Sequence, residues 1–187
     1  MRLWVTGYRS YELNVFKEKD PKKEVIMTVI KNNLKNRLDN GLTWVLTGGQ
    51  LGVEQWTIEA GLELKKSNPG LHLALILPFA EFGGNWQPDK QQHLNNLKEQ
   101  VDFCATVSNA PYRSPQQLKN YQKFMLEHTE GALLIYDPEY SGKTHFDHQA
   151  IVRQQERSNY ELELIDMLDL EDTANELAEN KKEEDSG

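Results

Sequence analysis

Short apolar runs alternate with longer polar segments in which apolar residues recur at helical spacing. The apolar runs have the length of single strands, and six strands are predicted over residues 3–6, 44–47, 71–77, 103–107, 132–136 and, with a weaker pattern, 161–165. Strands that alternate with helices in this way are typical of βαβ units. The pattern therefore predicts an α/β protein, a Rossmann-like three-layer sandwich around a mostly parallel sheet.

Five helices are predicted between these strands, over residues 23–40, 53–66, 87–100, 114–128 and 144–156. Gly41 is placed to end the first helix. Ser114 and Pro115 resemble an N-cap followed by proline at the first helical position. Each helix follows a strand directly, which favours a single continuous sheet.

The chain has 187 residues and a formal net charge of −8. This length suits one hydrophobic core, so we expect one domain over residues 1–170. Residues 171–187 hold seven acids and two lysines and contribute −5, which leaves −3 for the body. We expect this acidic end to be a disordered tail. The body shows no basic face, which argues against nucleic acid as a partner.

The first residues lead straight into a predicted strand, without the pattern of a secretory signal, and no stretch is apolar enough to span a membrane. We therefore expect a cytoplasmic protein that does not associate with membranes. Cys104 is the only cysteine, so a disulfide within the chain is excluded. It lies in an apolar run, and we expect a buried, unreactive thiol.

A glycine-rich turn joins the second strand to the following helix. Gly48, Gly49 and Gly52 flank Gln50 there, and glycine permits both positive φ and close approach of the backbone to a ligand. Exposed amides and the helix dipole favour an anion at a helix N-terminus. The turn therefore predicts a site for a phosphate or a phosphorylated sugar. A tight turn that needs glycine only for packing is the alternative.

Other candidates follow the remaining strands, because ligands of parallel sheets bind beyond the carboxyl ends of the strands. Arg9 is the best cation for a phosphate, and Arg113 is a second one. Pro78, Phe79 and Trp86 offer an apolar wall. The full set of candidate ligand-binding residues is Gly7, Arg9, Gly48, Gly49, Gln50, Gly52, Glu54, Trp56, Pro78, Phe79, Trp86, Arg113 and Asp137.

Glu54 falls in the first turn of the predicted helix, beside the candidate site. Its carboxylate is suited to accept hydrogen bonds from ribose hydroxyls or to act as a general base. An acid at this position also complements the helix dipole without any role in binding. Trp56 is either a stacking partner for a base or a core residue.

Several kinds of site are not supported. The spacing Gly-Gly-x-x-Gly differs from the dinucleotide fingerprint, and no acid ends the next strand, which disfavours NAD. His145 and His148 with Asp147 between them are too few for a dedicated metal site, and we expect them to face solvent. No nucleophilic triad is evident. We therefore expect neither a metal nor a cofactor.

With these motifs in hand, the chain resembles the YpsA family of Gram-positive bacteria, in the SLOG superfamily with the DprA and LOG proteins. The likeness covers most of the chain. It rests on the segments Val5-Thr6-Gly7-Tyr8-Arg9, Gly49-Gln50-Leu51-Gly52-Val53-Glu54-Gln55-Trp56, Pro78-Phe79 with Asn85-Trp86, Pro111-Tyr112 with Ser114-Pro115, and Leu134-Ile135-Tyr136-Asp137-Pro138-Glu139.

The resemblance implies a Rossmann-like fold, a nucleotide-derived ligand at Gly49, Gly52, Glu54 and Trp56, and a regulatory role in bacterial cell division. LOG proteins hydrolyse nucleoside monophosphates with an arginine and a glutamate. This chain differs from them: its turn is one residue longer, Val53 replaces a threonine, and Glu54 comes earlier than the LOG glutamate. DprA proteins have a similar turn and bind single-stranded DNA.

Three functions follow, in order. The first is a sensor that binds a nucleotide-like molecule such as ADP-ribose. The second is an enzyme that cleaves the N-glycosidic bond of a nucleotide, with Glu54 as its catalytic residue. The third is binding of single-stranded DNA, which needs a basic groove with aromatic residues that the sequence does not show. A protein partner in cell division and a homo-oligomer stay open.

Overall fold

The computed structural model describes all residues, 1–187. Six strands form one sheet in the order β4-β3-β2-β1-β5-β6, and every neighbouring pair is parallel. The strands are β1 Arg2–Gly7, β2 Trp44–Thr47, β3 His72–Phe79, β4 Phe103–Ser108, β5 Gly131–Ile135 and β6 Glu161–Ile165. The predicted α/β, Rossmann-like architecture is confirmed, with a sheet that is parallel throughout.

The helices are α1 Pro21–Leu38, α2 Val53–Lys65, α3 Pro88–Gln100, α4 Gln116–Glu127, α5 His145–Gln155 and α6 Met167–Ser186, with a short 3₁₀ helix at Ser10–Leu13. Crossovers between parallel strands are right-handed, which puts α1, α2 and α3 on one face of the sheet and α4 and α5 on the other. α6 packs against α1. None of these helices has the combination of length and apolar character that crossing a membrane requires.

Helix boundaries follow from local capping. Asp20 accepts a hydrogen bond from Lys22 N at 2.8 Å, and Pro21 occupies the first helical position of α1. α4 begins at Gln116 with Pro115 as its N-cap, one residue later than the predicted start at Pro115 after an N-cap at Ser114. The Gln117 side chain explains the shift, because its Oε1 accepts from the amides of Arg113 and Ser114 and so organises the loop before the helix.

The core lies on both faces of the central strands. Leu3, Trp4 and Val5 of β1 and Leu133 of β5 are fully buried. A smaller cluster fills the space under α3 and consists of Ile58, Leu75, Leu77, Leu94 and Leu97. β1 and β5 are thus held rigidly at the centre of the sheet. The loops that follow them therefore begin at fixed positions.

The structure is helical where composition predicts a disordered tail. α6 begins in a capping box, in which Asp169 N donates to Asp166 Oδ1 at 2.9 Å and Asp166 N donates to Asp169 Oδ2 at 3.0 Å. Lys181 also pairs with Glu24 of α1 at 3.1 Å. Capping and packing on α1, which composition does not show, account for the helix.

Cys104 is exposed, so the expectation of a buried thiol is wrong. The residue lies in β4, which is an edge strand of the sheet. A strand inside a parallel sheet has a neighbouring strand at each edge and is well buried. β4 has only β3 as a neighbour, so its other edge is open to solvent.

Candidate functional site

The direction of strand addition reverses next to β1, because β2, β3 and β4 lie on one side of it and β5 and β6 on the other. Such a switch point leaves a crevice beyond the carboxyl ends of the strands. Tyr8 spans this point: its hydroxyl accepts from Asp137 N at 2.9 Å and donates to Tyr140 O at 2.6 Å. The loops that follow β1 and β5 are thereby tied together.

The glycine turn is bonded to the loop after β1 through main-chain groups. Ser10 N donates to Leu51 O at 3.0 Å, and Val53 N donates to Tyr8 O at 3.1 Å. Gly52 adopts a φ of 117°, in a region that side chains rarely tolerate. These bonds hold Arg9 close to the start of α2, where Arg9 lines the crevice.

Glu54 lies in the first turn of α2 and is buried. Its Oε1 accepts from the Thr6 hydroxyl at 3.0 Å, and its Oε2 accepts from Gln50 N at 2.8 Å. Burial raises the pKa of Glu54, and this effect outweighs the opposing influence of Arg9 and of the two hydrogen bonds. The carboxyl group is therefore held in one orientation at the floor of the crevice.

Tyr121 of α4 approaches the same point from the opposite face. It is buried, and its hydroxyl has no hydrogen-bond partner. A Cβ at Gly48 would lie 2.8 Å from this hydroxyl, so glycine is required there. Burial, together with Glu54 and Asp147, raises the pKa of Tyr121 well above 10. A buried hydroxyl without a partner is costly, which marks it as a group that is free to bond a ligand.

Asp147 of α5 completes the arrangement. Its side chain is half-buried, and Oδ1 accepts from Gln122 Nε2 at 2.7 Å. Burial is the main cause that raises the pKa of Asp147 to about 7; the charge of Glu54 adds to it, and Gln122 and Arg9 oppose it. The charge of Arg9, whose own ion pair is with Glu12 at 3.9 Å, thus opposes the raised pKa of both Glu54 and Asp147.

These residues line a cavity of about 1320 Å³ that runs from the glycine turn along α4 and α5. One wall is aromatic: Phe79 lies 5.5 Å from Phe82 and 5.2 Å from Tyr112, measured between ring centroids. A smaller cleft of about 720 Å³ continues past these rings to Trp86. The cavity therefore joins an aromatic surface to the polar groups around Glu54. No group of three or more histidine, cysteine or acidic side chains is placed to hold a metal ion.

The model of the YspA SLOG family matches residues 3–170, nearly the whole chain. The chain belongs to the YspA SLOG family. The match confirms the resemblance that the motifs predict. It covers the glycine turn and the loops around the crevice, and α6 beyond Leu170 lies outside it.

Relatives of this SLOG chain are found in lactic acid bacteria under the description "UPF0398 protein". The one from Leuconostoc citreum is 54% identical over 184 residues, which cover 98% of this chain and 97% of the relative. The one from Limosilactobacillus reuteri strain DSM 20016 is 51% identical over 186 residues, with 98% of both chains covered. The one from Lactiplantibacillus plantarum is 51% identical over 180 residues, with 96% of this chain and 95% of the relative covered.

The structure brings about half of the candidate residues to the cavity of this SLOG protein. The candidates that line it are Arg9, Gly48, Gln50, Glu54, Pro78 and Phe79, and Trp86 lines the adjoining cleft. The remaining candidates lie elsewhere.

Gly7, Gly49, Gly52 and Trp56 pack against other parts of the protein. A Cβ at Gly7 would meet Ile135 O at 2.5 Å, and one at Gly49 would meet the Leu77 side chain at 2.8 Å. Trp56 belongs to the main core. These residues pack against the protein behind the cavity lining and do not line the cavity.

Arg113 and Asp137 also lie outside the cavity lining. Arg113 is exposed. Asp137 is buried, and its two carboxylate oxygens accept from Glu139 N at 2.9 Å and from Met167 N at 3.1 Å. Its role in the structure is to hold the start of α6.

Thr6, Tyr121, Gln122 and Asp147 are the site residues that the sequence reasoning missed. We expected Asp147 to face solvent beside two histidines, but it is the third residue of α5, directly after the β5 loop. The rule that identified Glu54, an acid in the first turn of a helix that follows a strand, applies equally to Asp147. Tyr121 and Gln122 lie in the middle of α4 and carry no such signal.

We predict that Asp147→Asn stabilises the protein at pH 8 but not at pH 4. The unfolded chain ionises Asp147 near its ordinary pKa of about 4. In the folded chain its pKa is about 7, so the folded state binds more protons between these values and loses stability as pH rises through 7. Asparagine keeps an acceptor for Gln122 and removes the charge. We expect a melting temperature higher by about 2–6 °C at pH 8.

Asp172→Asn is the matched control, because Asp172 is exposed on α6. It should leave the melting temperature unchanged at both pH values. An Asp147→Asn effect of equal size at pH 4 and pH 8 would show that the charge of Asp147 is not the cause.

Proposed function

We propose that this protein binds a small nucleotide-like molecule in the crevice and acts as a sensor of it. The observation that supports this most directly is one connected cavity that combines a fixed carboxyl group, an unpartnered buried hydroxyl and an aromatic wall. Convergent polar groups beside an apolar wall are typical of small-molecule sites. The family resemblance favours cell division as the process that the sensor serves.

Glu54 and Tyr121 suit the ribose. A carboxyl group has about four lone-pair positions, and Thr6 and Gln50 use two of them. The remaining positions and the free hydroxyl of Tyr121 are available to the vicinal hydroxyls of a sugar. The fixed orientation of Glu54 lowers the entropic cost of making those bonds.

The aromatic wall suits the base. Phe79 and Tyr112 lie on the same cavity as Glu54, and Tyr112 is 51% exposed, so its ring is accessible. Stacking of a base on an aromatic ring is worth about 1–3 kcal/mol and tolerates different bases. The wall therefore favours a nucleoside without selecting which one.

We predict that nucleotides raise the melting temperature and that Glu54→Gln removes most of this effect. A ligand at about 100 times its Kd stabilises by about 2.7 kcal/mol, or about 5–10 °C for a chain of this size. The test is a thermal shift panel of adenosine, AMP, ADP and ADP-ribose, followed by calorimetry. Glutamine can still accept from Gln50 N and bond Thr6, so the variant should fold.

Glu99→Gln is the matched control, because Glu99 is exposed on α3 and does not line the cavity. It should respond to nucleotides as the wild type does. If no nucleotide shifts the wild type at millimolar concentration, or if Glu54→Gln responds fully, the proposed function is wrong.

Hydrolysis of an N-glycosidic bond is a second candidate, favoured by Asp147. A carboxyl group whose pKa is about 7 is protonated in part at neutral pH and suits a general acid. Asp147 would protonate the departing base as the C1′–N bond breaks. Water would form the new C1′–O bond and pass its proton to Glu54.

We predict for this candidate that free base accumulates with nucleoside monophosphates and that Asp147→Asn slows its release by about 100-fold or more. Chromatography of the released base measures it. If the wild type binds nucleotides but releases no base, hydrolysis is excluded and only the sensor function stands.

A further inference from the structure

Two amides of the glycine turn, those of Gln50 and Val53, already have acceptors within the protein. Gln50 N donates to Glu54 Oε2 at 2.8 Å, and Val53 N donates to Tyr8 O at 3.1 Å. The Glu54 carboxyl group thus occupies the place at the start of α2 that the helix dipole makes favourable for an anion. A phosphate at this position would have to approach a carboxyl group, which disfavours it. The phosphates of a nucleotide therefore need another place in the cavity.

The sequence shows no sign of a basic face, and the structure corrects this: positive charge is concentrated in another part of the cavity, which we call the α4–α5 groove. Its basic residues are Lys119, Lys123, Lys143, Arg153 and Arg157. Only Lys123 has an acidic partner, Glu127 at 3.7 Å, and both are exposed. The other four, Lys119, Lys143, Arg153 and Arg157, are exposed and have no acidic partner, so their charges are available to an anion.

The groove extends well beyond the sugar position. Arg153 follows Asp147 by six residues, which corresponds to about 9 Å along α5. Lys143 lies on the other side of Asp147, at the start of the helix. The buried, unpartnered hydroxyl of Tyr121 marks the inner end of the same cavity. The groove therefore has room for a ligand that bonds Tyr121 and extends past a single phosphate toward Arg153.

We infer that the ligand carries a pyrophosphate or a longer phosphate chain, which lies in the α4–α5 groove against Lys143 and Arg153 and not in the glycine turn. The class of ligand is then a nucleoside diphosphate or a derivative of one. This inference rests on the proposed function for the sugar and the base. The placement of the phosphate chain in the α4–α5 groove has separate support, namely the unpaired cations there.

The test compares adenosine, AMP, ADP and inorganic pyrophosphate by calorimetry on the full chain. We expect ADP to bind about 10-fold tighter than AMP, because charge-assisted hydrogen bonds are about twice as strong as neutral ones. The double variant Lys143→Gln and Arg153→Gln should reduce this difference to less than about 3-fold while it binds adenosine as the wild type does. Lys98→Gln, on α3 and outside the cavity, is the control.

Equal affinities for AMP and ADP, or a difference that the double variant retains, would overturn the inference even if nucleotides bind. If adenosine, AMP and ADP do not bind but pyrophosphate binds and needs Arg153, the proposed function is wrong and the phosphate site stands. If neither nucleotides nor pyrophosphate bind, both are wrong.

Discussion

Gly52→Ala is expected to destabilise the fold by about 3–5 kcal/mol, the largest effect of any single methyl group added at the crevice. The new Cβ would lie 2.5 Å from Ser10 N and 2.6 Å from Tyr8 O, both of which are main-chain atoms that cannot rotate away. The φ of 117° adds backbone strain. Chemical denaturation of the variant measures the loss.

Variants at two other glycines distinguish the cost of the close contact from the cost of the backbone strain. Gly41 also has a positive φ, 88°, but no atom lies within 4 Å of its added Cβ, so Gly41→Ala should cost only about 1–2 kcal/mol. Gly70 has open space and no positive φ, and Gly70→Ala should stay within about 0.5 kcal/mol. If Gly52→Ala costs no more than Gly41→Ala, the turn and the Tyr8–Ser10 segment are not in close contact and the prediction is wrong.

This result bears on how binding experiments are designed. Gly52 is the glycine that a sequence motif suggests for mutation, but its Cβ position points at main-chain atoms and not into the cavity. A loss of ligand binding in a Gly52 variant would therefore reflect damage to the turn. Glu54→Gln keeps the hydrogen bonds to Thr6 and Gln50 and is the cleaner probe of binding.

Arg9→Met is expected to weaken nucleotide binding by about 100-fold, or about 3 kcal/mol. Arg9 is half-buried and is the cation that opposes the raised pKa values of Glu54, Tyr121 and Asp147. Its removal takes away the cation whose charge lowers the pKa of both Glu54 and Asp147. Calorimetry measures the affinity, and methionine retains much of the packing of the arginine stem.

A second measurement distinguishes this electrostatic role from a structural one. Without Arg9 the pKa of Asp147 should rise further above about 7, which NMR titration of the carboxyl carbon detects. Arg113→Met is the control, because Arg113 is exposed and outside the cavity, and it should change the affinity less than 2-fold. Weaker binding with an unchanged Asp147 pKa would show that Arg9 acts by shape alone.

The strands were predictable because parallel, buried strands read as short apolar runs, and the order of elements then fixes which loops meet. Arg9, Gln50 and Glu54 were found by that rule. Asp147 fits the same rule but was assigned to solvent beside two histidines, whereas Tyr121 and Gln122 lie in the middle of α4 on the far face of the sheet and carry no such signal. Their approach to Glu54 depends on the crossover that follows β4, which strand periodicity does not reveal.

Tertiary contacts decide the outcome in two places that the sequence does not reveal. The acidic end was expected to be disordered, yet the Asp166–Asp169 capping box and the packing on α1 support a helix. Gly49 and Trp56 were grouped with the ligand because they share a segment with Glu54, and Gly7 because it follows the first strand beside Arg9. Their neighbours show that such a motif can be shared between the lining of a site and the core that supports it.

The acidic helix and the α4–α5 groove lie on opposite faces of the sheet, since α6 packs on α1. The protein therefore carries an electric dipole across its three layers, with the negative end at α6. An anion is repelled by the net charge at long range but is oriented toward the groove as it approaches. At physiological salt this steering acts within about 8 Å, so the rate of capture should fall as ionic strength rises.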